Sequence, residues 1–222
     1  MNEIKIEIRN LKAIMKKIKA LEGAGEKAVS YTVKDIKARA PSWVAKEVTA
    51  TYNIDKKEII PGSTRKVKGG GTKAVKQAGS LRVKGDTLET MTLVYEGRRL
   101  TPVHFGMTPK SPPKGKSYTL KAQILKGSKK VIGRYENTRT KGGPYSQRSH
   151  NILMGTGNTK EDGVNWIPFQ RMSKKRTDLE KFLTTSVPQM VDNPEVHTRI
   201  YNRLSEEAEK RLRNNMKRFM KV

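Results

Sequence analysis

The chain has 222 residues, 47 Lys+Arg against 21 Asp+Glu, and a net charge of +26. A field of that size draws polyanions and holds free subunits apart, but it does not define a fold. The absence of cysteine excludes disulfides and thiolate metal sites and makes the chain indifferent to redox compartment, and no run reaches the roughly 18 apolar residues of a membrane span.

Ile4, Ile6 and Ile8 alternate with Lys5, Glu7 and Arg9, the period of a half-buried strand. No signal-peptide core precedes them, so the expected residence is the cytoplasm. Leu11, Ile14, Met15, Ile18 and Leu21 then recur at helical spacing and predict a first amphipathic helix. Gly23 and Gly25 break it, and Ala28, Val29, Thr32, Val33, Ile36 and Ala40 predict a second helix to about Arg39. Pro41 suits the first position of a third, with Val44, Val48 and Tyr52 four apart. Asp55 is placed to cap a turn through Ile59 and Ile60.

From Gly62 to Ser80 there are three consecutive glycines, five cations between Arg65 and Lys76, and little to bury, which predicts a long, flexible basic loop. Leu81 and Val83, then Gly85-Asp86, then Leu88, Met91, Leu93 and Tyr95 predict a hairpin with a turn of two or three residues. Its second strand is expected to continue unevenly towards Pro102-Val103-His104-Phe105. A second basic loop near 106–117 holds three prolines and three lysines before Tyr118, Leu120, Ala122 and Ile124 alternate again. Lys126-Gly127-Ser128-Lys129 then leads into Val131 and Ile132.

Polar residues and glycines dominate near 135–163, where a poorly ordered loop is expected around the apolar island Ile152-Leu153-Met154. Trp166-Ile167-Pro168-Phe169 resumes β character. Ile200, Leu204, Ala208, Leu212, Met216 and Phe219 then define the clearest helix in the chain. The order of helices, antiparallel strands and a last helix is α+β. Ile, Leu, Val and Phe total 46, about 21% of the chain, which predicts a fold with a thin core and a single domain over 1–222. Subunit packing would add burial to it.

The residues give no support for catalysis or a cofactor. Metal-dependent nucleases cluster carboxylates or histidines, whereas here the adjacent acids are Glu161-Asp162 in a glycine-rich stretch and Glu206-Glu207 on a helix. His104, His150 and His197 are far apart, and none has a second ligand three to five residues on. Gly23-Ala24-Gly25-Glu26-Lys27-Ala28 fits a dinucleotide-binding glycine pattern but follows a helical stripe instead of a strand. Gly115-Lys116-Ser117 ends like a phosphate-binding loop, yet Lys110 stands where glycine is required.

The basic loops are the better binding candidates. Arg65, Lys66, Lys68, Lys73 and Lys76, with Lys110, Lys114 and Lys116, suit contacts to duplex DNA phosphates or to an acidic neighbouring protein. Aromatics are not interleaved with them, which argues against single-strand stacking.

Phe169-Gln170-Arg171, then Lys175 and Arg176, then LTTSVPQMVDNP from Leu183 to Pro194 lead into the basic terminal helix. This run, and the order of parts before it, resembles the minor tail protein Z family of tailed bacteriophages and related tail-completion, or head-tail joining, proteins. The resemblance implies a non-enzymatic virion protein that forms a homo-oligomeric ring, a hexamer, at the head-proximal end of the tail. It implies tail tube or tail terminator protein and head connector or stopper protein as neighbours, and duplex DNA in the lumen. Phe169, Arg171, Val187, Pro188 and Met190 become candidate subunit or partner contacts, and the basic loops would line the lumen or a face of the ring. The alternative is a sequence-independent basic nucleic-acid-binding protein.

Overall fold

The computed structural model describes residues 2–6, 8, 11–12, 15–16, 23–67, 69–114, 116–135, 152–156, 166–173 and 178–220. Among the described residues, fifteen elements with defined bounds follow in chain order. They are β1 (Asn2–Lys5), α1 (Ala24–Thr51), α2 (Lys56–Ile59), β2 (Thr64–Lys66), β3 (Thr72–Ala74), β4 (Ser80–Lys84), β5 (Thr92–Glu96) and a 3-10 turn (Pro102–Phe105), then β6 (Tyr118–Ala122), β7 (Lys130–Tyr135), β8 (Ile152–Thr156), β9 (Trp166–Arg171), β10 (Leu179–Lys181), α3 (Val187–Val191) and α4 (Pro194–Met220). The fold is α+β. The chain read above as one domain gathers into two compact units. The first holds Met1–Ala50, Asp55–Arg98 and Ser186–Val222, and the second Thr51–Ile54 and Arg99–Thr185.

In the first unit, β1 and β4 flank β5 in an antiparallel sheet. Register places Ile4 and Val83 beside Leu93, and Leu81 beside Tyr95, so one face of β5 is apolar. Most of the first predicted helix lies outside the described residues, although 11–12 and 15–16 are helical.

The predicted break at Pro41 does not occur: α1 runs through it. Proline there gives up one backbone hydrogen bond. The buried stripe of Ala28, Thr32, Ile36, Ala40, Val44 and Val48 nevertheless continues in steps of four across it, and burying that stripe requires one helix.

Helix α4 buries Val196, Ile200, Leu204, Ala208 and Leu212. It lies antiparallel to α1, since Arg199 meets Glu47 at 3.6 Å while Asn215, near the other end, donates to Thr32 Oγ1 at 3.1 Å and to Asp35 Oδ2 at 3.3 Å. Sequence periodicity put Met216 on this stripe, but the buried position is Asn215. Its amide is satisfied by Thr32, whose own hydroxyl donates to the Ala28 carbonyl at 2.7 Å.

The stretch from Leu183 to Pro194 contains helix α3. Ser186 and Gln189 cap it reciprocally, with Gln189 N donating to Ser186 Oγ at 3.3 Å and Ser186 N to Gln189 Oε1 at 3.0 Å. Asn193 Oδ1 then accepts from Glu195 and Val196 at the start of α4. Between the two helices Asp192 accepts the Tyr95 hydroxyl at 2.6 Å and ties them to β5.

The β4–β5 connection corrects the predicted tight turn. Lys84 pairs with Thr92, so residues 85–91 form the loop, in which Leu88 and Met91 are buried. Gly85 has φ 89°, and a Cβ there would collide with the Thr90 carbonyl, so only glycine fits. The second strand ends at Glu96, and Pro102–Phe105 is a 3-10 turn instead of its continuation.

In the second unit β6 pairs with β7, and β8, β9 and β10 form a sheet with β9 at its centre. Met107, Leu120, Ile152 and Met154 make the core, with Tyr118, Ile132, Trp166 and Phe182 against it. Gly133 of β7 has no side chain where Ile152 of β8 lies, which lets the two strands approach. The loop read near 135–163 contains β8. Its remaining residues beyond Tyr135 lie outside the described residues.

Two outcomes follow from the polar contacts of the first unit. Asn215→Ala removes a buried donor and is expected to lower stability by about 1–2 kcal/mol in urea unfolding. Burial, and then the hydrogen bond to the Asp192 carboxylate, pushes the Tyr95 phenol above its ordinary value of 10.0. A folded-state value above the unfolded one gives stability that is fully present below pH 10 and is lost as the pH rises beyond it. Tyr95→Phe is therefore expected to cost about 2 kcal/mol at neutral pH, with the deficit narrowing above pH 10 when the two proteins are unfolded side by side.

Candidate polyanion-binding surface

The residues between Ile59 and Gly85 include seven Lys/Arg and no Asp or Glu, and those between Gly97 and Tyr135 include ten and none. These two tracts carry 17 of the net +26 charges. On α4, by contrast, three of the seven cations are matched on the same helix: Arg199 with Glu195, Arg203 with Glu207 and Arg213 with Glu209, at 2.7–3.1 Å. Most of the net charge thus lies outside α4, in these two tracts. An acid-free tract is the sequence signal that marks it most directly.

The first tract is where the predicted flexible loop over 62–80 proves to be a hairpin. Thr64, Arg65 and Lys66 pair with Ala74, Lys73 and Thr72. Gly69, Gly70 and Gly71 all have positive φ and supply the reversal, with Gly70 N donating to Val67 O and Val67 N to Gly71 O, both at 3.2 Å. Every residue of β2 and β3 is exposed.

The hairpin's base is tied down. Val75 N donates to Ser63 O at 2.9 Å, Ala78 N to Glu58 O at 2.8 Å and Lys57 Nζ to Thr64 O at 3.0 Å. Asp55, which caps α2 through Lys57 N as its sequence position suggests, also holds Arg65 at 2.6 Å. Arg65 and Lys73 share one face of the ribbon, and Lys66 stands on the other with Thr64, Thr72 and Ala74. Lys76 is exposed just beyond β3. Lys68 lies outside the described residues.

In the second unit Lys110, Lys114 and Lys116 are exposed on the segment before β6. Thr108 exchanges two backbone hydrogen bonds with Lys121, at 2.8 and 2.9 Å, and its hydroxyl accepts from Lys129 Nζ at 2.7 Å. Thr108, two residues before Lys110, thus stands beside Lys121 and Lys129, two cations that the sequence reading did not single out. Lys126, Lys130 and Arg134 are exposed in the same unit.

The remaining candidates divide. Val187 and Met190 are wholly buried, and Pro188 packs against the backbone at Gly97, so these three build the core and α3 instead of a surface. Phe169 and Arg171 are half-buried on β9. Among the described residues no group of three or more His, Cys, Asp or Glu can hold a metal ion, and no helix is long and apolar enough to cross a membrane.

Ammonium groups on a tethered ribbon can neutralise successive phosphates without reading bases, and a two-stranded ribbon fits the width of a duplex major groove. In titrations of duplex DNA over a range of salt, the Lys66→Ala/Lys76→Ala protein is expected to show a log–log salt slope shallower by about 2 than the parent, equally for unrelated sequences. Compared with protein-family models, curated proteins and solved structures, the chain gives no match.

Proposed function

We propose that the chain is a structural subunit of a tailed-phage virion. In this reading it completes the head-proximal end of the tail and joins it to the head connector as a ring, with duplex DNA passing through the lumen. The observation that carries the reading is the β2–β3 hairpin, fully exposed, tethered at its base and free of acidic residues. DNA that must slide past a protein calls for contacts that attract phosphate and ignore sequence, and lysines on a ribbon supply them.

The resemblance to tail-completion proteins gives the assembly around that contact. Copies of the chain close into a hexamer through heterologous interfaces, with the tail tube or terminator on one side and the connector or stopper on the other. The protein acts by fit and makes or breaks no bond. Free subunits, each carrying +26, repel one another in the host cytoplasm until a partner or salt offsets that charge. A monomeric, sequence-independent nucleic-acid binder is the second reading, and the same hairpin favours it.

Light scattering of the purified chain at low and high salt, with negative-stain images of any large species, separates them. The proposal expects closed rings at high salt or on addition of tail and connector proteins. A chain that stays monomeric with those partners and holds duplex DNA tightly at moderate salt would transfer the assignment to the plain binder.

A further inference from the structure

The β8–β9–β10 sheet has two unlike faces. Ile152, Met154, Trp166 and Phe182 point into the core of the second unit. By register the opposite face carries Leu153 beside Phe169, Phe169 beside Lys181, and Arg171 beside Leu179. Leu183 continues the parity of Leu179 and Lys181, since Phe182 N still donates to Pro168 O at 2.9 Å.

Leu179 and Leu183 are 38% and 42% exposed, whereas Ile152 on the core side is 3% exposed. The Phe169 ring comes close to Gly155, where a Cβ would sit 2.9 Å from it, so glycine makes room for the ring. The face thus combines half-buried Leu153 and Phe169 and exposed Leu179 and Leu183 with the basic Arg171 and Lys181.

Among the described residues, strand β10 has a neighbour on one side only. Met172 N donates to Asp178 O at 3.1 Å and Phe182 N to Pro168 O, so the even-numbered residues of β10 turn their backbone groups to β9. The N–H and C=O of Leu179 and Lys181 therefore point to the open edge.

Charge selects what can use that edge. Two copies of β10 paired to bring Leu179 opposite Leu183 would set Lys181 against Lys181, on chains that each carry +26. The sequence joining β9 to β10 adds Lys174, Lys175 and Arg176. A carboxylate placed beside Lys181 meets the opposite situation on this face, while Glu180 stands on the other face of the strand.

We propose that the open edge of β10 takes up an extended segment of an acidic partner protein as an added strand, with apolar side chains beside Leu179 and Leu183 and a carboxylate beside Lys181. Backbone bonds would give this pairing its affinity and the alternating side chains its selectivity. The site belongs to the second unit, the basic hairpin to the first, and its use does not depend on ring closure or on DNA.

The probe is a labelled peptide with Leu, Glu and Leu at alternate positions between threonines, titrated into the full chain by fluorescence anisotropy, with a Lys-for-Glu peptide as control. The intact chain is expected to prefer the Glu peptide by about tenfold, and Lys181→Glu to reverse that preference. Leu179→Pro removes an edge N–H that β9 does not use and should abolish binding of both peptides. Equal binding of the Glu peptide by the Lys181→Glu protein, or undiminished binding by a folded Leu179→Pro protein, would overturn the proposal. So would self-association that Leu179→Pro removes when no peptide binds. Should Leu179→Pro not fold, the peptide is N-methylated on one or the other alternate set of amides: one set must abolish binding, and binding by both methylated peptides sinks the idea.

Discussion

The antiparallel pairing of α1 and α4 is the constraint on which the first unit depends. Each helix buries one stripe, and three contacts along their length fix how far one is slid against the other: Glu47 with Arg199, Thr32 with Asn215, and Tyr31 with Phe219 at 4.9 Å between ring centroids. With only 46 Ile, Leu, Val and Phe residues in the chain, hydrophobic burial alone sets that register weakly. A buried amide that must meet a hydroxyl specifies it, because a shift by one turn would strand both groups without partners. Once α4 is placed, Asp192 just before it is placed too, and with it the hydrogen bond to Tyr95 that holds β5 against the helices.

The charge is unevenly distributed along the chain. Three of the seven α4 cations pair with glutamates one turn away, so part of that helix's field cancels locally. The hairpin and the segment from Gly97 to Tyr135 contain no acid of their own, although Arg65 of the hairpin is held by Asp55. Exposed lysines contribute little to stability, so this arrangement does not help the fold. It gives the chain a long-range attraction for polyanions and a repulsion between copies, both of which weaken with salt.

Much of this was legible in the sequence where periodicity and burial coincide. The α+β order, the alternation in β6 and the last helix follow from apolar spacing, and Asp55 announced its cap by position. What failed did so for physical reasons. Proline normally ends a helix, but a stripe buried on both sides of Pro41 outweighed one lost hydrogen bond. Three glycines and five cations looked like a free loop, yet positive φ at those glycines closes a hairpin from residues with nothing to bury. Asn215 was invisible to a reading that counts apolar residues, because a polar group is buried only where a partner waits, and Thr32 is 183 residues away. Of the candidate contacts, Phe169 and Arg171 fell on an outward sheet face, while Val187 and Met190 were spent on the core; an isolated apolar residue gives no sign of which side it faces.

Open strand edges and high like charge belong together in such a chain. An uncovered edge invites pairing with any extended segment, and proteins suppress this with short edge strands and lysines. Here β10 has three residues, with Lys181 among those turned outward. That lysine blocks pairing between copies and at the same time supplies the charge that an acidic strand would meet, so protection against the wrong partner and recognition of the right one come from one side chain. A thin core makes the same compromise throughout: surface that a larger core would cover is left exposed, and charge determines what is allowed to cover it.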